Sequence, residues 1–359
     1  MKISGKSIDR AGNVLRKKES ERTEEEFSEA IEILSHWRFS HEKPLDSAFS
    51  VLEEVTLKKD KNAIFAKRLK RAPSIAKKLR RFDGMTLRSM QDIGGCRAVL
   101  SSEKKLTQVL RELKKLTQFK WKNGLAKVND YIKHPKPDGY RSIHLIGKFT
   151  NLDGETRRIE IQLRTYIQHH WATALEIVDL FTGQALKSNE GEEDWKHFFS
   201  SVSEQFALMD EIHLYQDLPR NRKFFSYRQK LRQHRSTHFE SKNRTQILAK
   251  KLKVLKKLDA FSNSLKIIDK KLTDQSQSGY VLLRIEIPKT TLHSFIFSSQ
   301  DAIKAEKMYK DFEKEFSNEG DTVVALVSTT SVGDIKDAYP NYFADSTEFI
   351  HHLNFILQA

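Results

Sequence analysis

An α/β chain with a long helical extension is what the sequence predicts, and three observations carry it. Between residues 61 and 185, short runs with two-residue alternation trade places with runs of three- and four-residue apolar spacing, the order of strands and helices. From 186 to 278 the spacing stays helical and the composition basic; from 279 to 359 strand and helix patterns return in an acidic stretch. With helices in 1–60, four parts follow: N-terminal helices (1–60), a strand-and-helix core (61–185), a basic helical extension (186–278) and a small acidic α+β domain (279–359).

Each element has its own signal. From Thr23 to Lys59, Phe27, Ile31 and Leu34, then Phe49, Leu52 and Val55, recur at helical spacing, with Pro44 near the start of the second run, so two helices are expected. Asn62–Lys70 is a short strand. Ala72-Pro73-Ser74 opens a helix to about Arg81, since a proline in the first turn lacks only an N–H that has no helical partner. Free amides then lie beside Arg68, Lys70 and Arg71, an anion site in principle, although the stretch alone also reads as a solvated basic helix. Ile93–Leu100 is a buried strand introduced by Asp92 and loosened by Gly94-Gly95; Leu106–Leu116 is a helix and Lys127–Ile132 a strand. Arg141–Phe149 and Thr156–Leu163 form a hairpin about Asn151-Leu152-Asp153-Gly154. In its second strand Arg158, Glu160, Gln162 and Arg164 share one face, and Ile159, Ile161 and Leu163 the other.

Beyond the hairpin, Tyr166–Phe181, Trp195–Leu214 and Phe239–Leu272 are expected helices. The last holds the basic run 249–258, which either packs by its leucines or lies on RNA. After a polar joint at 276–279, Tyr280–Ile287 is a strand, Ala302–Phe316 a helix and Thr322–Ser328 a strand. Tyr339-Pro340-Asn341-Tyr342-Phe343-Ala344-Asp345 then leads to a short helix from Thr347.

Composition narrows the function. Charged residues are 31% of the 359 and the net charge is +15, which favours an anionic partner. Met1–Ser278 holds 56 Lys and Arg against 36 Asp and Glu, net +20, whereas Gly279–Ala359 holds 7 against 12, net −5. An acidic end can sit on the basic part and compete with its ligand, or be an ordinary acidic domain. Cys96, the one cysteine, excludes an intrachain disulfide and a cysteine zinc cluster, fits a reducing cytoplasm, and reads as core rather than as a nucleophile. No apolar run reaches the roughly 18 residues of a membrane span and no signal-peptide core is present, so a soluble cytoplasmic protein without a membrane partner is expected. A P-loop motif is absent. His169-His170 and His351-His352 lack companion ligands and read as structural.

One stretch stands out for chemistry: Asp130 to His144, a Pro-Lys-Pro-Asp-Gly turn crowded with cations and entering a strand through Tyr, Arg, Ser and His. Gly139 permits the sharp turn, Tyr140 offers a ring to a base, and Lys133, Lys136, Arg141 and His144 can face phosphates. Phosphoryl-type transfer needs cations on the donor phosphates, a carboxylate for Mg²⁺ and a placed acceptor hydroxyl. Arg68, Lys70, Arg71, Lys77 and Lys78 can clamp phosphates, Asp92 and Glu160 can share a metal, and Tyr140 can stack the acceptor. Singly, Asp92 reads as a strand-start cap and Glu160 as the ion-pair partner of Arg158 or Arg164. A single site explains all of them together.

Four ordered motifs resemble the RelA/SpoT-type (p)ppGpp synthetase domain: Arg68-Leu69-Lys70-Arg71-Ala72-Pro73-Ser74-Ile75 with Lys78-Leu79; Asp92-Ile93-Gly94-Gly95-Cys96-Arg97; Asp130-Tyr131-Ile132 running to Gly139-Tyr140-Arg141-Ser142-Ile143-His144; and Glu160-Ile161-Gln162-Leu163-Arg164-Thr165. The resemblance implies a nucleotidyltransferase-like α/β fold on a mixed sheet and a Mg²⁺-dependent transfer of the β,γ-pyrophosphate of ATP to a ribose 3′-hydroxyl, with release of AMP. By that pattern Arg68, Lys70, Ser74 and Lys78 bind ATP, with Gln162 and Arg164 completing the wall. Asp92 holds Mg²⁺, and Glu160 serves the metal or activates the hydroxyl. Tyr140 stacks the acceptor base, with Lys136, Arg141 and His144 nearby. One position departs: two residues before the tyrosine, where guanine-nucleotide synthetases often carry Asn, stands Asp138.

A His-Asp pair of the hydrolase kind is missing, so a product once made needs another brake. Tyr339-Pro340-Asn341-Tyr342 is similar to the Tyr-x-x-Tyr segment of the fused toxin–antitoxin synthetases of the CapRel type. That similarity implies an inhibitory tail acting through Tyr339 and Tyr342, released by a phage protein such as a capsid protein, and an enzyme that pyrophosphorylates the 3′ CCA end of tRNA and blocks translation. Two alternatives stay open: a small alarmone synthetase acting on GDP or GTP, and a catalytically inactive RNA-binding relative.

Overall fold

Alternation along residues 156–165 organises the first half of the molecule. In the computed structural model Ile159, Ile161 and Leu163 are fully buried, while Arg158, Glu160 and Gln162 are partly exposed on the opposite face. The structure describes residues 3–121, 123–150, 154–182, 186, 191–274, 279–286, 291–316, 322–328 and 342–359. These cluster into two units, Met1–Asp130 with Ser142–Arg164 and Tyr131–Arg141 with Thr165–Ala359.

The first unit is built on a five-stranded mixed sheet of β1 (Ile64–Leu69), β2 (Gly94–Leu100), β3 (Lys127–Asp130), β4 (Ile143–Thr150) and β5 (Thr156–Thr165), in the order β1-β2-β5-β4-β3. β1 pairs antiparallel with β2, and β4 with both β3 and β5. Gly94 allows the close approach of the two central strands, since a Cβ there would lie 2.7 Å from Ile159 Cδ1. The helices are α1 (Gly5–Arg16), α2 (Glu24–Phe39), α3 (Glu42–Leu57), α4 (Ala72–Arg81) and α5 (Glu103–Lys115). Leu45, Ala48 and Leu52 of α3, and Leu106, Val109 and Leu113 of α5, are buried at helical spacing. A separate cluster joins Ile8 and Leu15 of α1, Leu34 of α2, and Ile75 and Leu79 of α4 to Leu87 and Ile93. It anchors the helix that carries Ser74 and Lys78. Burial pushes the Cys96 thiol far up, as suits a core residue.

The second unit holds α6 (Tyr166–Thr182), α7 (Glu193–Asp210), α8 (Arg220–Gln233), α9 (Arg235–Lys251), α10 (Val254–Asp274), β6 (Gly279–Glu286), β7 (Thr291–Ser298), α11 (Ala302–Phe316), β8 (Thr322–Ser328) and α12 (Tyr342–Gln358). Its antiparallel sheet runs β7-β6-β8. Aromatic packing dominates the core: Phe181 and Phe261 stack 4.5 Å apart, and Trp171, Phe198, Phe199, Phe206, Tyr227 and Phe349 are buried with them. His170 of α6 and His352 of α12 are buried and stacked at 5.8 Å, so these histidines are core groups.

Several expectations need correction. The single helix expected over Phe239–Leu272 is two, because Lys253 adopts a left-handed φ of 53° between them. Leu248, Leu252 and Leu258 are buried on both sides of that break, so their spacing hides it. The last helix starts at Tyr342 rather than Thr347. α1 went unread because its few large apolar residues stand among charged and small ones, α8 because its six charged residues outnumber the two that it buries, and β7 because its apolar positions are mixed with Thr, His and Ser. Asn151, Leu152 and Asp153 of the expected turn, together with Tyr339, Pro340 and Asn341, lie outside the described residues, as does the side chain of Tyr342. Among the described residues no helix is long and apolar enough to cross a membrane.

Candidate active site

The strand-to-helix corner after β1 makes a cationic cradle around one carboxylate. Lys70 is held by its backbone: its N–H donates to Ile93 O at 2.6 Å, and its carbonyl accepts from Arg38 Nε at 2.8 Å. Its ammonium donates to Asp92 Oδ2 at 2.9 Å, and Lys78, one α4 turn beyond Ser74, reaches the same oxygen at 2.8 Å. Arg68 on β1 and Ser74 in the first turn of α4 are exposed. Burial raises the Asp92 carboxyl, but the charges of Lys70 and Lys78 outweigh it and hold the group below the usual carboxylate range. Burial also pulls Lys70 below the usual lysine range, a pull that Asp92 opposes.

Asp92 Oδ1 is buried and has no hydrogen-bond partner among the described residues. A buried carboxylate oxygen with no donor is expensive unless something positive completes it. Mg²⁺ usually takes one or two protein carboxylates and fills its shell with water and substrate phosphates. The donor set here suits that habit: Asp92 offers an oxygen without a donor, and among the described residues no group of three or more His, Cys, Asp or Glu forms a closed metal cage.

Glu160 is placed by strand pairing. In the β4–β5 register Ile146 faces Glu160 and His144 faces Gln162, so His144 lies diagonal to Glu160 on one sheet face. His144 Nδ1 is 3.1 Å from Glu160 Oε1, and Gln162 Nε2 donates to Oε2 at 2.7 Å. Burial raises Glu160; the charge and hydrogen bond of His144 and the bond from Gln162 overcome it, so its carboxyl ends below the ordinary range. The negative charge of Asp92 works against that ionisation, which places the two carboxylates within electrostatic reach of each other. Gln162 Oε1 accepts from Arg97 Nε at 3.4 Å and Arg164 Nη2 at 3.3 Å, with Arg164 and Arg97 both buried.

The turn carrying Tyr140 belongs to the second unit and is held mainly by backbone and packing. Gly139 N–H donates to Lys136 O at 2.8 Å, and Tyr140 N–H to Asp138 Oδ1 at 2.9 Å. Asp138 thus shapes the turn with the oxygen that an Asn would also offer. Gly139 has φ +89°, and a Cβ on it would lie 2.9 Å from Ser200 Cα on α7. Ser203 Oγ donates to Gly139 O at 2.5 Å and accepts from Arg141 Nε at 3.1 Å, while Arg141 Nη1 donates to Ile132 O at 2.9 Å. Arg141, expected at the acceptor's phosphates, therefore spends its guanidinium on the turn itself. Lys136 Nζ stands 4.8 Å from the ring centres of both Tyr131 and Tyr140.

The sequence reading expected one site for all of these residues; the structure joins Lys70 and Lys78 to Asp92, and His144 and Gln162, expected at the acceptor and at the ATP wall, to Glu160. That reading missed three positioning groups. Arg97 was signalled as a charge between the buried Cys96 and Ala98. Arg38 and Ser203 carried no sequence signal, being single polar residues on helices far along the chain from what they hold.

Residues 67–178 match the family model of the region found in RelA / SpoT proteins. The GTP pyrophosphokinase YwaC of Bacillus subtilis (strain 168) is 35% identical over 140 residues, 36% of this chain and 65% of that protein. A probable GTP diphosphokinase of Arabidopsis thaliana, the chloroplastic CRSH, is 29% identical over 148 residues, 37% of this chain and 25% of that protein. The chain thus spans less than two thirds of the length of these curated relatives. Among solved structures, small alarmone synthetase 1 from Bacillus subtilis bound to its product pppGpp is 25% identical, covering 49% of this chain and 93% of the other at a TM-score of 0.40. A GTP pyrophosphokinase family protein from Streptococcus pneumoniae is 22% identical, covering 54% and 97% at a TM-score of 0.41. Residues 67–178, which hold the Lys70–Asp92–Lys78 cradle, Glu160 and the tyrosine turn, are thus the part of the chain that resembles RelA / SpoT proteins.

Proposed function

We propose that the chain is an ATP-dependent pyrophosphokinase whose acceptor is the ribose 3′-hydroxyl at the CCA end of tRNA. The Asp92 carboxylate carries this reading: it is balanced by Lys70 and Lys78 on one oxygen and lacks a donor on the other. The triphosphate of ATP draws Lys70 and Lys78 onto its oxygens, with Arg68 and Ser74 beside them, which would leave Asp92 to hold the metal. Mg²⁺ held by Asp92 and Glu160 would neutralise phosphate charge and polarise the Pβ centre. The acceptor's 3′-oxygen attacks Pβ and gives up its proton to the surrounding water, the bond from Pβ to the α,β-bridging oxygen breaks, and AMP leaves with that oxygen.

Glu160, held ionised by His144 and Gln162, would help hold the metal and orient the hydroxyl. Tyr140, with Lys136 against its ring, stacks the terminal base. The acidic residues 279–359, through Tyr339 and Tyr342, restrain the enzyme until a phage protein such as a capsid protein engages them.

A second reading, synthesis of (p)ppGpp from GDP or GTP, is favoured by the 35% identity to a GTP pyrophosphokinase. Incubation with ATP labelled at the γ-phosphate and either bulk tRNA or GDP separates the two. Label at the tRNA 3′ end is expected; label only in guanosine tetraphosphate would select the second reading, and no AMP release with either acceptor would sink both. Deletion of 279–359 is expected to make expression toxic, whereas harmless growth of that truncation would remove the restraint from the proposal.

A further inference from the structure

Helix α8 buries one face and leaves the other without a structural task. Tyr227 and Leu231 are buried, with Phe224 packed beside them, and the Tyr227 hydroxyl donates to Gln205 Oε1 at 2.6 Å. On the outer face Arg222, Phe225, Gln229 and Arg232 follow at spacings of three, four and three, all exposed. The helix holds six Lys and Arg and no Asp or Glu. Three of its cations, Arg220, Arg222 and Lys223, occupy the first turn, where the helix dipole disfavours positive charge. Helix stability does not explain this choice.

Intramolecular pairing does not explain it either. Lys230 is paired with Glu211 at 2.8 Å, Lys223 stands over Tyr215 and Arg228 over Phe224, but no ion pair reaches Arg222 or Arg232 among the described residues. On the neighbouring helix α9 the exposed Arg244 and Lys251 are paired with Glu240 and Asp194. Phe225 is 62% exposed, next to a Phe224 that serves the core.

We infer that the outer face of α8 is a docking surface for the phosphodiester backbone of RNA, with Arg222 and Arg232 on phosphates, Phe225 under a base and Gln229 between them. From Arg222 to Arg232 the helix rises about 15 Å, room for several phosphates of a stacked strand at about 3.4 Å each. The unpaired cations answer the charge of the backbone, and the exposed ring answers the bases. The inference rests on the reading of an RNA acceptor and supplies that RNA with a second place of contact.

The test is fluorescence anisotropy of labelled, deacylated bulk tRNA on the full-length protein, without ATP, across a salt series. Arg222→Gln with Arg232→Gln is expected to weaken binding about tenfold and to flatten the slope of log affinity against log salt by about 1.5 to 2. Phe225→Ala is expected to weaken it about tenfold at unchanged slope. Arg222→Lys with Arg232→Lys keeps the slope and separates lost charge from a lost fold. Wild-type binding in both the glutamine pair and Phe225→Ala would overturn the inference. So would loss of binding to phosphatidylserine vesicles in those variants with tRNA binding intact. Because ATP is absent, a chain that binds tRNA here yet transfers nothing to it refutes the transfer reading and leaves the surface standing.

Discussion

The cationic cradle and the tyrosine turn are held by different forces. The cradle in the first unit is electrostatic: Lys70 and Lys78 on Asp92, and His144 on Glu160, all at least half-buried, where charges are weakly screened. The tyrosine turn in the second unit is held by a left-handed glycine, close packing on α7, and hydrogen bonds of Ser203 and Arg141 to backbone carbonyls. Chemistry on the phosphates needs charge that can be exchanged, whereas stacking a base needs a ring that does not move. The cradle should therefore fail on loss of charge, and the turn on loss of shape.

The largest effect is expected at the carboxylates. Asp92→Asn or Glu160→Gln should lower the rate of AMP release about 10³-fold, with the fold retained by circular dichroism at the assay temperature; a loss below tenfold would remove that residue from the chemistry. Next comes acid. Burial holds His41 at about 4, and it stays neutral while its hydrogen-bonding nitrogen contacts Trp37 O at 2.8 Å. A base with a depressed folded value takes up its proton first in the unfolded chain, so stability falls as pH drops from about 6.5 toward 4, by up to about 3 kcal/mol from this group. His170 and His352, also depressed by burial, add in the same direction. The carboxylates behave oppositely in range: with folded values below the ordinary one, their contribution is complete above about pH 4 and is lost below it. Urea midpoints between pH 7 and 4.5 should fall in the wild type and fall less in His41→Gln; parallel curves would contradict the assignment.

Shape changes rank lower. Gly139→Ala puts a Cβ against Ser200 backbone in a left-handed conformation and should cost about 2 kcal/mol of stability. The KM for the acceptor should rise, and the KM for ATP should hold. Ser203→Ala removes one positioning hydroxyl and should raise the acceptor KM about fivefold, worth about 1 kcal/mol. An equal rise for ATP would erase the contrast between cradle and turn.

Much of the first unit was legible in the sequence because its parts are local. The strand alternation of residues 156–165 and the proline-started helix with Lys78 one turn beyond Ser74 can each be read within a dozen residues. What could not be read depends on distant chain: Arg38 reaching Lys70 O, Arg97 reaching Gln162, and Ser203 closing a turn 64 residues earlier. The break at Lys253 was hidden for another reason, since the left-handed residue carries no glycine or asparagine to announce it. α8 was overlooked because the charge that marks its outer face also dilutes its apolar period.

The shared site of Asp92 and Glu160 is tested most directly by a double-mutant cycle on AMP release, with Asp92→Asn, Glu160→Gln and the pair assayed against the acceptor that takes the label. If both carboxylates hold one metal, the pair is no slower than the worse single variant. Losses that multiply, each variant adding its full deficit to the other's, would show two carboxylates acting independently and would contradict a common centre.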